Sequence, residues 1–194
     1  MWTGVDVGGR RKGFHAAVVD DARLVAGPAA LPAPADVVDW LAGRAVDLVA
    51  VDSPRTAAGP GTRSRAGERA LARTICGIRY TPDERRLGAS PAYYEWIAHG
   101  LELYGALAAA GYAAIECFPT ASWTRWAGPR RGRSRRRWSR EALDARGLAD
   151  APARLNQDGR DAIGAALTAR AHSRGETDAF GEIVVPRVSR GSAA

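Results

Sequence analysis

Short apolar runs separated by Gly, Pro and charged residues occupy the first quarter of the chain. The runs at residues 3–7 and 14–19 predict two β-strands, and a shorter run at 23–26 predicts a third. Because only short connections separate these runs, we expect them to form an antiparallel meander. Residues 35–41 follow two prolines and repeat apolar positions every three or four residues, which predicts a helix that ends near Gly43.

A Val-rich run at residues 47–52 predicts a fourth strand, and the helix before it indicates the direction of that strand. Strands joined through a helix lie parallel to each other in a right-handed crossover, so we expect strand four beside strand one. Asp6 lies near the end of the first strand, and Asp52 ends the fourth. The two carboxylates should therefore lie side by side at the carboxyl edge of the sheet, where open α/β sheets bind ligands.

The second half of the chain adds helices and one further strand. Residues 112–119 predict a fifth strand that again carries an acid, Glu116, close to its end. The predicted fold is α/β, with a five-stranded mixed sheet: three antiparallel strands, then parallel strands four and five, flanked by helices. Helices are predicted at residues 68–76, 91–110 and 140–146, with a last one beginning near residue 158.

Length and composition fit one soluble domain. The chain has 194 residues, of which 46% are hydrophobic, enough for one well-buried core and too few for two ordinary α/β domains. We expect a single domain over residues 1–186 and a frayed tail over residues 187–194. No apolar run reaches 18 residues and no leader-like segment opens the chain, so we expect a cytoplasmic protein without membrane association.

The basic residues are unevenly distributed. Only Lys12 of the 28 Lys and Arg residues is a lysine, and seven arginines lie between Arg130 and Arg140, a number equal to the net charge of +7. Such a segment attracts polyanions and favours nucleic acid as a partner, although a solvated loop of biased codon origin is the alternative. The candidate nucleic-acid-binding residues are Arg10, Arg11, Lys12, Arg130, Arg131, Arg133, Arg135, Arg136 and Arg137.

Three tryptophans lie among or beside these arginines, at positions 123, 126 and 138. Aromatic faces between cations are suited to stacking on nucleic-acid bases. Tryptophans at the base of a loop equally serve as packing anchors, so both interpretations stay open.

The last predicted helix brings further carboxylates. Asp158 and Asp161 are three residues apart and share a helix face, with Asp158 a candidate N-cap. If Asp161 approaches Asp6 and Asp52, the three carboxylates need a cation between them or must take up a proton. Carboxylate oxygens are hard ligands suited to Mg²⁺ or Mn²⁺, so these three are the predicted metal ligands.

This donor set indicates metal-assisted hydrolysis of phosphodiester bonds, a reaction that needs no nucleophilic side chain. The chain has no P-loop and no Ser-His-Asp arrangement, and its histidines, at positions 15, 99 and 172, are predicted to be structural. The candidate catalytic residues are Asp6, Asp52, Asp161, Asp158 and Glu116.

Several blocks of sequence resemble a known group of proteins. An aspartate in the first strand, a basic hairpin, an acid that ends the fourth strand and acids on a late helix resemble the ribonuclease H-like superfamily. More closely, the chain resembles an uncharacterised family of predicted nucleases with that fold. The blocks are Gly4-Val5-Asp6-Val7-Gly8-Gly9-Arg10-Arg11-Lys12-Gly13-Phe14-His15, Val51-Asp52-Ser53-Pro54, Glu68-Arg69, Ile115-Glu116-Cys117-Phe118-Pro119 and Asp161-Ala162.

The resemblance implies a magnesium-dependent nuclease in which Asp6 and Asp52 hold the metal and Asp161, with Asp158, closes the site from the late helix. Two features depart from the family pattern. Leu155-Asn156-Gln157 stands where the family often has a histidine, and the arginine-rich stretch from Arg130 is peculiar to this chain.

Two other functions compete with the nuclease. One is a non-catalytic nucleic-acid-binding or adaptor protein of the same fold that keeps the acids for structure. The other is a nucleotide-binding phosphotransferase, because Gly4–Gly9 also resembles the first phosphate-binding turn of sugar kinases and actin-like ATPases. Those proteins use two such domains around a cleft, which this chain would supply only as a dimer. The oligomeric state is left open.

Overall fold

A computed structural model describes residues 1–187 as a seven-stranded mixed sheet covered by helices on both faces. The strands lie side by side in the order β3-β2-β1-β4-β5-β7-β6. Their bounds are Trp2–Val7 (β1), Phe14–Val19 (β2), Leu24–Leu31 (β3), Leu48–Asp52 (β4), Ala114–Cys117 (β5), Thr177–Phe180 (β6) and Ile183–Pro186 (β7).

Seven helices connect and cover these strands within the described residues. Their bounds are Pro34–Leu41 (α1), Ala66–Thr74 (α2), Glu84–Ala89 (α3), Glu95–Ala109 (α4), Pro119–Ala127 (α5), Arg135–Asp144 (α6) and Gln157–Ser173 (α7). Over residues 1–187, no helix combines the length and the apolar character that crossing a membrane would require.

The predicted meander and crossover are confirmed. β1 pairs antiparallel with β2 and β2 with β3, while β4 returns through α1 to lie parallel to β1. Alternation along the strands supplies two cores, since successive side chains of a strand point to opposite faces. Val5, Val7, Val49 and Val51 pack under α1 and α4, and the other face of the sheet packs against α7.

The helix α7 lies unusually close to β1. A Cβ atom at Gly4 would come within 2.1 Å of the backbone oxygen of Ala162 and the backbone nitrogen of Ala166. The contact therefore requires a glycine on the strand, and small residues on the helix let the two backbones approach. This close contact carries the N-terminal end of α7 to the carboxyl end of β1.

The five-stranded sheet predicted from the sequence is wrong in strand number. β5 pairs with β4 as expected, but β7 adds parallel to β5 and β6 adds antiparallel to β7 at the sheet edge. Each of these two strands has only four residues. The alternation of apolar and polar positions is then too short to separate a strand from irregular chain in the sequence. The predicted tail, residues 187–194, lies outside the described residues except for Arg187.

Helix boundaries differ most around the arginine-rich segment. The predicted helix at 140–146 begins instead at Arg135, because the Ser134 side chain caps it by accepting a hydrogen bond from the backbone N–H of Arg137 at 3.2 Å. Pro119, interpreted as a strand end, opens α5, in agreement with the preference of proline for the first helical turn.

Candidate active site

Asp6 and Asp52 stand directly opposite each other in the register of β1 and β4. Both line a cleft of about 530 Å³ at the carboxyl ends of the parallel strands. Asp158 and Asp161, from the first turns of α7, line the same cleft. The structure thus brings together the four aspartates that the sequence singled out.

Asp6 is buried near the end of β1, and one of its oxygens lacks a hydrogen bond to the described residues. Its residue surface is 7% exposed, and its Oδ2 atom is buried without a hydrogen-bond partner among residues 1–187. Burial raises the pKa of Asp6 to about 7, and the negative charge of Asp161 adds to the rise. A buried carboxylate oxygen without a donor favours either a proton or a bound cation.

Asp52 is half-buried. Burial raises its pKa well above the usual value, with further contributions from the charges of Asp6 and Asp161, while Arg135 acts in the opposite direction. Two neighbouring carboxylates with raised pKa values form one electrostatic unit, since ionising the first opposes ionising the second.

Asp161 is nearly buried, and protein donors surround it. Trp123 Nε1 and Gln157 Nε2 donate to its Oδ1 at 2.8 and 2.9 Å, and Arg135 Nη2 donates to its Oδ2 at 2.8 Å. Burial nonetheless raises its pKa, although Arg135, Trp123 and Gln157 lower it. The Arg135 side chain is 47% exposed. Arg135 can therefore leave Asp161 and pair with another anion more readily than a buried arginine could.

Asp158 is not the N-cap of α7, contrary to one prediction. The Asn156 side chain caps the helix by accepting from the Gly159 N–H at 2.7 Å, which leaves Asp158 in the first turn and facing the cleft. There it accepts a hydrogen bond from Lys12 Nζ at 2.7 Å. Burial lowers the pKa of Lys12. The hydrogen bond to Asp158 and the negative charge of Asp6 raise it by more, so the pKa of Lys12 is raised overall.

The chemistry of these donors fits a divalent cation of the hard type. Carboxylate oxygens from Asp6 and Asp52 are available, and Asp6 Oδ2 accepts no hydrogen bond from the described residues. A second group of ligand atoms, from Asp6, His15 and Asp158, lies within 4.8 Å of one another. The acidic cleft can therefore hold a cation in more than one way.

Glu116 borders the cleft but belongs to a different cluster. Its neighbours Ile115 and Cys117 pack on the α7 face, so the pleat turns Glu116 to the opposite face. There Arg65 pairs with it through both Nη atoms, at 2.7 Å for Nη1, and the Arg55 N–H donates at 2.9 Å. Burial raises the pKa of Glu116 although Arg65 lowers it. This pairing indicates a structural role.

The predicted nucleic-acid-binding residues fall into two groups. Arg130, Arg131 and Arg136 are exposed and have no ion-pair partner in the part of the chain described. Arg11, on the hairpin, is likewise exposed and without an ion pair among the described residues. The other five pair with acids: Arg10 with Glu102, Lys12 with Asp158, Arg133 and Arg137 with Glu141, and Arg135 with Asp161.

The tryptophans of this region act mainly as anchors. Trp123 and Trp138 are buried in the core under α7, and Trp138 donates to the Gly128 carbonyl at 2.9 Å. Trp126 is half-buried beside Trp123. For the two buried rings, the packing interpretation holds rather than the stacking one.

His15 is a site residue that the sequence reasoning missed. It pairs with Asp6 across β1 and β2, and directly paired residues point to the same face of a sheet. The predicted strands already contained this signal, since a hairpin that pairs Val7 with Phe14 also pairs Asp6 with His15. Its Nδ1 atom is buried without a described partner.

Comparison with solved structures identifies the fold. A structure of Thermus thermophilus RuvC aligns with a TM-score of 0.50 and 17% sequence identity, covering 89% of this chain and 95% of that chain. A structure of T. thermophilus RuvC in complex with Holliday junction substrate aligns with a TM-score of 0.46 and 17% identity, covering 90% and 96%. No protein-family model matches the sequence, and no curated protein matches it significantly.

The likeness to the first of these structures confirms the predicted α/β fold with a mixed sheet, which this chain shares with RuvC. At 17% identity it shows the fold alone. Membership of the uncharacterised family of predicted nucleases stays a prediction that rests on the blocks of sequence.

Proposed function

We propose that this chain is a metal-dependent nuclease that hydrolyses phosphodiester bonds of DNA or RNA. The observation that supports it best is the convergence of Asp6, Asp52, Asp158 and Asp161 on one cleft, with a buried oxygen of Asp6 that has no described donor. Such crowding costs stability unless a cation compensates it, which is typical of a site kept for chemistry.

Asp6 and Asp52 would hold Mg²⁺ or Mn²⁺, and Asp161 would close the site from α7. A divalent cation, when bound, activates water and neutralises charge on the phosphate. The chain's own residues supply the surroundings: Trp123 and Gln157 orient the Asp161 carboxylate, and Arg135 presents a half-exposed guanidinium beside it. A guanidinium in that position is suited to a phosphate oxygen.

The exposed arginines support nucleic acid as the substrate class. Arg130 and Arg131 lie in the turn before α6, and Arg136 follows Arg135 on the helix. Unpaired arginines attract the phosphate backbone and release its counterions on binding, without dependence on base sequence.

A cleavage assay tests the proposal. The full chain is incubated with end-labelled single-stranded, duplex and branched DNA and with RNA, in Mg²⁺, in Mn²⁺ or in EDTA. We expect metal-dependent cleavage of at least one substrate, and a loss of at least about 100-fold in Asp6→Asn and Asp52→Asn. Asp39→Asn, an exposed site on α1, is the matched control and should cleave normally.

Unchanged cleavage in a folded Asp6→Asn protein would contradict the assignment. Folding of each variant is checked by its thermal midpoint in EDTA, so that loss of activity is separated from loss of structure.

A non-catalytic nucleic-acid-binding protein is the second candidate, and one observation favours it. Both late-helix acids are already neutralised by protein cations, Asp158 by Lys12 and Asp161 by Arg135. This candidate predicts nucleic-acid binding that is equal in EDTA and in Mg²⁺, with no cleavage of any substrate.

A further inference from the structure

The Lys12 ammonium lies between two carboxylates of the acidic cleft. Its Nζ atom is 2.7 Å from Asp158 Oδ1 and 3.8 Å from Asp6 Oδ2. It therefore contributes one positive charge at the side of the cleft where β1 meets the first turn of α7. Asp6 Oδ2 accepts no hydrogen bond from the described residues, so the charge of Lys12 is its cationic neighbour on this side.

The hairpin between β1 and β2 is shaped to hold this side chain. Gly8 N–H donates to Gly13 O, and the N–H groups of Lys12 and Gly13 donate to Gly9 O, all at 2.9 Å. A Cβ atom at Gly8 would lie 2.7 Å from the Cβ and Cδ atoms of Lys12. The aliphatic stem of Lys12 thus packs along the bare backbone of Gly8, which directs its ammonium back over the cleft.

The residue type is also informative. Every other basic residue outside histidine is an arginine, and the single lysine of the chain is the one that enters the acidic cleft. An ammonium is a compact point charge, whereas a guanidinium is planar and spreads its charge over a fork of donors. A compact positive charge can occupy the position of a bound metal ion better than a planar guanidinium can.

The ligand atoms around Lys12 would form a second cation site without it. Oxygens of Asp6 and Asp158 and a ring nitrogen of His15 lie within 4.8 Å of one another, and His15 Nδ1 has no hydrogen-bond partner in the described chain. Asp6 is 7% exposed, and its Oδ2 atom accepts no hydrogen bond from the described residues. The two carboxylates suit Mn²⁺, and an imidazole is a ligand for first-row transition metals.

We propose that Lys12 is a built-in second cation, so that the chain binds one divalent ion although its ligands could accommodate two. The inference rests on the proposed divalent-cation site at Asp6 and Asp52. The lysine neutralises the charge of Asp158 and partly offsets the charge of Asp6. The single ion then binds on the side of Asp6 that faces Asp52.

The test measures how many Mn²⁺ ions bind per chain by isothermal titration calorimetry and by equilibrium dialysis. We expect one ion for the wild type, two for Lys12→Met, which keeps the stem and removes the charge, and one for Lys12→Arg. In the double variant Lys12→Met, Asp158→Asn the number should return to one, because the second ion loses a ligand.

Two ions on the wild-type chain, or one ion on folded Lys12→Met, overturn the inference. If Lys12→Met fails to fold, Lys12→Gln takes its place as the uncharged variant, and one ion on the folded Lys12→Gln protein likewise overturns the inference. Two ions together with metal-dependent cleavage would leave the proposed nuclease intact and reject only the role of Lys12. Binding of no Mn²⁺ and no cleavage would reject the proposed function itself.

Discussion

Asp6 and Asp52 occupy the same register position on neighbouring parallel strands, so their backbones lie about 4.8 Å apart. At this distance the two carboxylates repel each other when both are ionised, and the pKa values of both are raised. Because the pairing of the backbones sets this distance, a change of side-chain rotamer cannot remove the repulsion. Neither strand can move away without breaking the centre of the sheet. The relief must come from a proton or a cation.

The stability of the metal-free protein should fall as pH rises from about 4 to about 7. The pKa of Asp6 is about 7 in the folded chain against the usual 3.8, so the folded state keeps its proton in a range where the unfolded chain has lost it. Asp52 and Asp161 act in the same direction. At 1.36 kcal/mol per pKa unit, Asp6 accounts for up to about 4 kcal/mol.

Urea unfolding in EDTA at pH 5 and pH 8 measures this loss, with Asp6→Asn as the comparison. The wild type should lose more stability than the variant between these pH values, and Mn²⁺ should restore the wild type at pH 8. Equal losses in the two proteins would mean that Asp6 does not titrate in this range.

Gly4→Ala should destabilise the fold and weaken the site together. The added Cβ overlaps the backbone of α7 at Ala162 and Ala166, so the helix that carries Asp161 must move away from β1. We expect a loss of about 1–3 kcal/mol, the usual range for overpacking, with reduced Mn²⁺ affinity. Chemical denaturation and titration calorimetry measure the two effects.

Gly105→Ala is the matched control for that substitution. Gly105 lies inside α4, and a Cβ there meets nothing within 4 Å. Because alanine is the better helix former, this variant should gain about 0.5–1 kcal/mol. A Gly4→Ala protein as stable as the wild type would show that the sheet and α7 can separate without cost.

Arg65→Met should be among the most destabilising substitutions of a charged residue in the chain. Arg65 pairs with buried Glu116 and buried Glu68, and its removal leaves two carboxylates without their cation. Breaking a buried pair in this way costs about 3–5 kcal/mol. Arg137→Met, which breaks the exposed pair with Glu141, should change the urea midpoint very little. Equal midpoints for the two variants would contradict the structural role of the Arg65 cluster.

Arg136→Gln should weaken nucleic-acid binding in a salt-dependent way. If Arg136 contacts a phosphate, its loss lowers the slope of log K against log salt concentration by about 0.9 for duplex DNA and about 0.7 for single strands. Fluorescence anisotropy at several salt concentrations gives the slope. Arg44→Gln makes the same charge change at the end of α1, beside Trp40, and should leave the slope unaltered.

The strand-borne half of the candidate site could be predicted from the sequence because it depends on local patterns. The Val-rich run predicted β4, and the helix before it, through the crossover rule, gave its direction and placed Asp52 beside Asp6. The spacing of Asp158 and Asp161 placed both on one side of α7. These relations need only periodicity and the handedness of connections.

The partners of the acids could not be predicted, because they come from distant parts of the chain. Lys12 meets Asp158 across 146 residues, and Arg65 meets Glu116 across 51. Glu116 followed the same strand-end pattern as Asp52, yet the pleat turned it to the other face of the sheet. The edge strands β6 and β7 were missed for a related reason: four residues carry too little pattern.

Twelve of the 17 residues of α7 are buried, and this has a consequence for hydrogen exchange. Backbone amides at residues 162–169 should exchange only through global unfolding, whereas the exposed turn at Arg131 and Gly132 should exchange through local openings. Asp161, which would close the metal site, is thus mounted on a slowly exchanging helix, whereas Arg131, which would meet a polyanion, lies on a fast-exchanging turn. The proposed nuclease would therefore hold its ion rigidly while the arginines of the turn adapt to the bound strand.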